Sequence, residues 1–518
     1  MNLFEPYATE AYSDFSDEHV LLQYKQALDH VRSQLGRDYS LMIGDKEISG
    51  QWLESFDPCN KDTTVGRSAK ASKADVDNAF DVAYEAFESW SQWDMAARAR
   101  CLVKVAAVMR RRKFELAAWE TFEAAKNFAE AEADVAEAID FCEYYARQAL
   151  KLAEPLHTYD YPGEENTATL QPLGVGVTIS PWNFLLAIMV GTTVGPLVVG
   201  NTVLLKPAPA TPIIAQKFME CLKEAGVPDG VVTLVTGDDA EIGDYLVDHH
   251  RTRFINFTGS METGMRINER AAKVQPGQRW LKRAFLEMGG KDGLIVDETA
   301  DLELAVNAAV AGGYGFQGQK CSAMSRLIVV ADVYDEVLER FAAGVEALTV
   351  ADAETNPDVA AVINQKAEDK IMHYLELGKV ESKLVTGGGK VPELGDKGHF
   401  IQPTVFADVQ QSATIACEEI FGPVVSVMKA RDFDHALQLG NGTMFGLTGG
   451  VVSRDRTRLE RARREFHVGN LYFNRKITGS LVGIQPFGGF NMSGTNSKAG
   501  GPDYLRLFME MKTVTERF

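Results

Sequence analysis

Between residues 75 and 150, apolar positions recur at i, i+3 and i+4 with charges between them, the pattern of amphipathic helices. It predicts helices over 75–90 and 99–125, with the basic run at 110–113 as the solvated face of the second. From residue 172 the pattern changes. Short apolar runs at 175–179, 202–205, 231–235, 253–257 and 284–287 read as strands, alternating with helical segments at 185–199, 211–225, 240–247 and 262–272. That alternation predicts a parallel, doubly wound sheet, which binds ligands beyond the carboxyl ends of its strands. A second alternation begins near Leu294, with a glycine-rich stretch at 312–318, a strand at 326–330 and a helix at 334–348. It predicts a second α/β domain. Gly289 and Gly290 would be the hinge, because they carry little steric restriction. Residues 386–390 (Thr-Gly-Gly-Gly-Lys) read as a loop.

Residues 166–205 carry no charged side chain. A membrane span needs about 20 uninterrupted apolar residues. Here Pro172, Pro181 and Pro196 and five glycines interrupt the run, so buried strands flanking a buried helix are expected instead. The 518 residues allow two to four domains at about 150 residues each. A net charge of -19 argues against nucleic acid as a partner. The six cysteines are scattered without a CxxC pair, as in a reducing compartment, and the nine histidines show no ligand spacing, so no metal site is expected. No Lys or Arg precedes Lys25, while Glu5, Glu10, Asp14, Asp17 and Glu18 do, so neither a secretory signal nor a mitochondrial presequence fits and the cytoplasm is expected.

Candidate chemistry lies in the connections. Residues 257–264 (Phe-Thr-Gly-Ser-Met-Glu-Thr-Gly) follow a strand and open a helix, which lets backbone amides approach a phosphate. Met265 stands where a P-loop needs lysine, so alone the loop reads as an ordinary connection. Alone, Cys321 reads as an inert buried thiol, Glu287 as a solvent-facing carboxylate at a strand end, and Asn183 as a turn residue. Their functional readings are a nucleophile, a general base with a tuned pKa, and an oxyanion donor.

Taken together and in order, these segments resemble the aldehyde dehydrogenase superfamily. The carrying motifs are Ser-Pro-Trp-Asn-Phe at 180–184, Lys206-Pro207, Phe-Thr-Gly-Ser at 257–260, Leu-Glu-Met-Gly-Gly-Lys at 286–291, Gly-Gln-Lys-Cys at 318–321, Glu-Glu-Ile-Phe-Gly-Pro at 418–423 and Pro-Phe-Gly-Gly-Phe at 486–490. The resemblance covers roughly residue 40 to the end. It implies an α/β fold with a Rossmann-type parallel sheet cofactor domain (41–149 and 172–288), a second α/β catalytic domain (289–490), a small β oligomerisation arm (150–171 and 491–518) and an N-terminal helical extension (1–40). Within the arm, 167–170 and 513–517 are the candidate strands.

The resemblance also implies roles. Cys321 attacks the aldehyde carbon, Asn183 and the Cys321 N–H hold the oxyanion, and Glu287 activates the water that hydrolyses the thioester. Ser180, Trp182, Lys206, Gly237, Ser260, Gly264, Glu419 and Phe421 are placed at the cofactor, NAD. NAD-preferring members often carry an acid three positions after the lysine. Pro209 stands there, so NAD stays the expected cofactor with NADP left open as an alternative.

Residues 469–480 and 494–504, with 133–143, look like the L-glutamate γ-semialdehyde dehydrogenase branch. That branch implies Ser322, Gly479 and Ser480 at the substrate carboxylate, Glu137 near its ammonium, and Phe184 and Phe487 against its chain. It also implies the second step of proline degradation. The alternatives are another semialdehyde such as succinate semialdehyde, a coenzyme-A-acylating enzyme, against which Glu287 speaks, or a non-catalytic NAD-binding or structural protein. The chain is too short for a fused proline dehydrogenase, so the partners implied are the small-molecule substrate, further copies of the chain, and transient contact with a separate proline dehydrogenase.

Overall fold

The apolar runs after residue 172 form a five-stranded sheet: β1 (Val175–Ile179), β2 (Thr202–Lys206), β3 (Val232–Leu234), β4 (Phe254–Thr258) and β5 (Arg283–Glu287). The computed structural model describes residues 3–518. The strands lie in the order β5-β4-β1-β2-β3, all parallel. The chain runs from β1 outward to β3, then returns to β4 on the other side. The topological switch point therefore falls between β1 and β4, where such sheets bind ligands. In the charge-free stretch, residues 166–172 belong to the strand Glu164–Pro172, and the rest holds β1, the buried helix Ala187–Val198 and β2 up to Leu205. Among the described residues no helix is long and apolar enough to cross a membrane.

Four residues after β5 the second sheet begins. Its strands are β6 (Asp292–Val296), β7 (Met324–Val330), β8 (Lys383–Thr386), β9 (Thr404–Ala407), β10 (Val424–Ala430), β11 (Thr448–Val452) and β12 (Asn470–Phe473). Their order is β8-β9-β10-β7-β6-β11-β12, parallel except β8 against β9. The carboxyl ends of the first sheet and the amino ends of β6, β7 and β10 open on one cleft. Gly289 and Gly290 join the sheets for a reason other than flexibility: neither has positive φ. A Cβ at Gly289 would overlap the Glu419 carboxylate, and one at Gly290 the Cys321 carbonyl.

Four expectations need correction. The helix over 99–125 is two helices, Met95–Arg111 and Lys113–Ala124, broken at Arg112. The apolar stripe continues across the break, so periodicity does not register it. The basic run at 110–113 is not simply solvated: Arg110 pairs with Glu10 and Glu143, Arg112 with Glu115 and Glu220, and Lys113 with Glu132. The N-terminal extension is only partly helical. Residues 3–16 are irregular, the helix Glu18–Arg32 follows, and Arg37–Tyr39 is a strand. Residues 1 and 2 of the predicted extension lie outside the described residues. The segment before residue 73 also contains an unforeseen three-stranded sheet, built from Arg37–Tyr39, Asn60–Ala69 and Trp52–Asp57. Its β-branched and polar alternation is too short and mixed to read as strands. The helix expected over 240–247 opens instead as a π-helical turn, Asp239–Gly243.

Strand Glu164–Pro172 pairs antiparallel with Met509–Arg517 over nine residues, bringing the two candidate arm segments together.

Candidate active site

Two cavities meet at Cys321. The larger, about 710 Å³, runs along the strand ends of both sheets. This is within the range of roughly 300–1,000 Å³ for ligand sites. Ser180, Trp182, Asn183, Lys206, Ser260, Glu419 and Phe421 line it, with Pro209 and Asp239. Gly237 and Gly264 do not. Gly237 packs on Ile242 and Gly264 on Met288, so they shape the walls from behind. Ser260 caps the helix Met261–Ala272, accepting from Thr263 N, and leaves that helix's N-terminus on the cleft. The Ser180 hydroxyl is buried without a protein partner, and the Trp182 and Phe421 rings meet edge to face at 5.4 Å. Glu419 accepts from Gly290 N at 2.9 Å. An elongated cleft, a helix N-terminus, a paired lysine and an orphaned hydroxyl fit a dinucleotide.

The loop carrying Cys321 is held under strain. Phe316 and Gln317 are left-handed (φ 50° and 57°), a conformation costing non-glycine residues about 1–3 kcal/mol each. The Gln317 side chain donates to Ala125 O and Ala361 O and accepts from Ala360 N, which locks the turn. Gly318 (φ 67°) lets the backbone pass against Gly422 O. Asn183 donates one amide hydrogen to Gln319 O at 3.1 Å, fixing the side chain beside Cys321 with its second hydrogen uncommitted. Burial, with the carboxylates of Asp292, Glu419 and Glu287 adding to it, pushes the Cys321 thiol far above its ordinary range.

Glu287 ends β5, and the C-terminal loop is stitched along that strand end. Met288 N donates to Ser493 O, and Thr495 N to Leu286 O. This pairing places Ser497 on the carboxylate. Its hydroxyl donates to Glu287 Oε1 at 2.6 Å and its backbone N–H to the same oxygen at 3.1 Å. Gly489 N reaches Oε2 at 3.4 Å. Burial outweighs these donors and pushes the carboxyl up to about 7.

The smaller cavity, about 90 Å³, is lined by Glu137, Phe184, Ser322, Gly479, Ser480 and Phe487 together with Cys321 and Glu287. All six residues assigned to the substrate from sequence meet here. Phe184 packs under Lys126, whose buried ammonium lies 5.2 Å from the ring and pairs with Glu120 and Asp134. Burial beside Asp134 pushes the Glu137 carboxyl up to about 8. Sequence reasoning missed Ser497, the Phe141 wall, and Asn256, whose amide donates to Thr192 O and bonds the Tyr504 hydroxyl. Phe141 lies one turn after Glu137 on the helix Phe128–Leu152, within the 133–143 stretch, where its side chain reads as plain core. Ser497 and Asn256 come from a distant loop and from a core strand, and no local motif marks them.

The family model that matches is described as aldehyde dehydrogenase family and covers residues 46–514. A 1-pyrroline-5-carboxylate dehydrogenase from Geobacillus kaustophilus (strain HTA426) is 57% identical over 520 residues, spanning 100% of both chains. A solved structure of 1-pyrroline-5-carboxylate dehydrogenase from Thermus with bound NAD superimposes with a TM-score of 0.98 at 52% identity, covering 100% of both chains. Proline utilization A from Bdellovibrio bacteriovorus is 40% identical with a TM-score of 0.96, and matches 99% of this chain but 53% of its own. The chain belongs to the aldehyde dehydrogenase family.

Proposed function

We propose that this chain oxidises L-glutamate γ-semialdehyde, the open form of 1-pyrroline-5-carboxylate, to L-glutamate with NAD, the second step of proline degradation. The observation that carries this reading is the single small cavity joining Cys321 and Glu287 to Glu137, Ser322, Gly479 and Ser480. The full-length likeness to 1-pyrroline-5-carboxylate dehydrogenases supports it.

The Cys321 thiol gives up its proton to solvent and the thiolate attacks the carbonyl carbon, and the Asn183 amide and Cys321 N–H take the oxyanion. NAD, held by Lys206, Ser260, Trp182, Glu419 and Phe421, supplies the hydride acceptor. What remains on Cys321 is a thioester. Glu287 takes a proton from water, the hydroxide adds to the acyl carbon, and the thiolate leaves. Phe184 and Phe487 exclude water from the aliphatic chain. Ser322, Gly479 and Ser480 donate to the α-carboxylate, and Glu137 accepts from the α-ammonium. We assign residues 41–149 and 172–288 to the cofactor domain, 289–490 to the catalytic domain, and 150–171 with 491–518 to an oligomerisation arm in a cytoplasmic homo-oligomer. Substrate reaches the site by diffusion or from a separate proline dehydrogenase.

NAD reduction with pyrroline-5-carboxylate, succinate semialdehyde and propanal tests the reading. A preference for the first supports it, and turnover of the others alone sinks the amino-acid anchor. Glu137→Gln should raise KM for pyrroline-5-carboxylate by about 10-fold or more with kcat within a few-fold, because a charged hydrogen bond contributes about 1.5–3 kcal/mol. Propanal, which has no ammonium group, should show no such change.

Ser497→Ala should move the acidic limb of the kcat–pH profile upward by about one unit. Losing a donor to the carboxylate raises its pKa from about 7. Ser497→Thr should restore the profile. An unmoved limb would mean that Ser497 does not tune the base during turnover.

A further inference from the structure

Pro209 occupies the place where an acid would meet the adenosine ribose, and it offers neither charge nor donor. The structure supplies an acid from a different connection. Lys206 ends β2 with its side chain 1% exposed, and its charged partner is Asp239. Asp239 opens the π-helical turn after β3, which is anchored by the fully buried Ile242 against Gly237. The Asp239 side chain is 71% exposed and lines the large cavity beside Pro209, Ala210 and Gly243. This is the β2–β3 side of the cleft, away from β4 and β5, next to which Met288, Glu419 and Cys321 stand. A dinucleotide laid along the strand ends with its reactive ring at Cys321 puts its other nucleoside here.

Three cations beside this sheet edge already hold carboxylates. Lys206 holds Asp239, Lys70 holds Asp238 at 2.9 Å, and Arg266 forks onto both Asp244 oxygens. A ribose 2′-hydroxyl would find an acceptor in Asp239. A 2′-phosphate would meet a carboxylate whose neighbouring ammonium is spoken for.

We propose that Asp239 is the residue that selects NAD over NADP in this chain, taking the part that Pro209 vacates. The inference rests on the reading that this cleft holds the dinucleotide, and it decides between NAD and the NADP alternative that Pro209 leaves open.

Calorimetric binding of NAD, NADP, ADP and 2′,5′-ADP to the wild-type chain and Asp239→Ser tests it without turnover. Wild type should bind NAD at least about tenfold more tightly than NADP. In Asp239→Ser the NADP Kd should fall by about tenfold or more while the NAD Kd rises a few-fold, and the ADP pair should follow the same order. Asp239→Asn, which keeps a hydrogen-bonding amide without the charge, should relieve the exclusion of NADP with a smaller loss for NAD. A Kd ratio unchanged within twofold in Asp239→Ser, with NAD still bound, would overturn the role of Asp239 alone. Equal wild-type affinity for NAD and NADP would also overturn it, and failure of wild type to bind NAD would remove the cofactor assignment with it.

Discussion

Cys321→Ala should abolish aldehyde oxidation, lowering kcat by roughly 10⁵-fold or more while leaving NAD affinity and Tm near wild type. The size of the effect follows from the chemistry. Without the sulfur there is no thiohemiacetal from which hydride can leave, and the site offers no second thiol: the other cysteines, Cys59, Cys101, Cys142, Cys221 and Cys417, line neither cavity. The side chain sits at a cavity junction, so its loss removes few packing contacts. The free thiol is also poorly ionised at neutral pH, because burial and three nearby carboxylates raise its pKa. Alkylation of the wild-type enzyme by iodoacetamide should therefore be slow at pH 7 and accelerate as pH rises. Rapid alkylation at pH 7 in the absence of cofactor would contradict that electrostatic picture. Retained turnover in Cys321→Ala would exclude Cys321 as nucleophile.

What the chain makes legible follows from what is local. β1, β2 and β4 are buried nearly throughout and lie between turn residues, so each is visible within a residue or two of its end. The chemistry-bearing side chains close strands or open helices and carry recognisable neighbours, as at Ser180, Lys206, Ser260 and Glu287. Gln317 and Phe316 are visible as letters, but their left-handed backbone is not, because it is set by Ala125 and Ala361 across the fold. Ser497 lies 210 positions from the carboxylate it touches, and only the pairing of 493–495 with β5 explains the contact. Asp239 is similar: nothing local to it shows that Lys206, 33 positions earlier, takes it as a partner. The glycines at 289 and 290 show the converse error, in which the right residues are noticed for the wrong cause. Close approach of Glu419 and the Cys321 loop, rather than backbone freedom, demands them.

Glu287→Gln should separate the two halves of the reaction. Acylation of Cys321 does not need water, so one equivalent of reduced cofactor per site should appear in a burst. Steady-state turnover should then fall by about 10²–10⁴-fold, the usual contribution of a general base. Intact mass after mixing should show the thioester on Cys321, and absence of both burst and adduct would move Glu287 from deacylation to an earlier step. The same substitution should change stability in a direction set by linkage. The native carboxyl titrates near 7, above its ordinary 4.5, so the folded chain holds the proton more tightly than the unfolded one. Wild-type stability therefore declines as pH rises from about 4.5 to 7, and the loss is complete above 7, amounting to about 3 kcal/mol at most. Glutamine has no proton to lose and keeps an oxygen for Ser497. Relative to wild type, Glu287→Gln should gain Tm between pH 5 and pH 7 and level off above that, with the difference smallest at the acid end. A difference in Tm that does not grow with pH would show that the buried carboxylate carries no such cost. If it grows as expected, the base that deacylates the enzyme is held in its apolar pocket at the expense of the fold, and the strained turn at Phe316 and Gln317 belongs to the same trade between stability and activity.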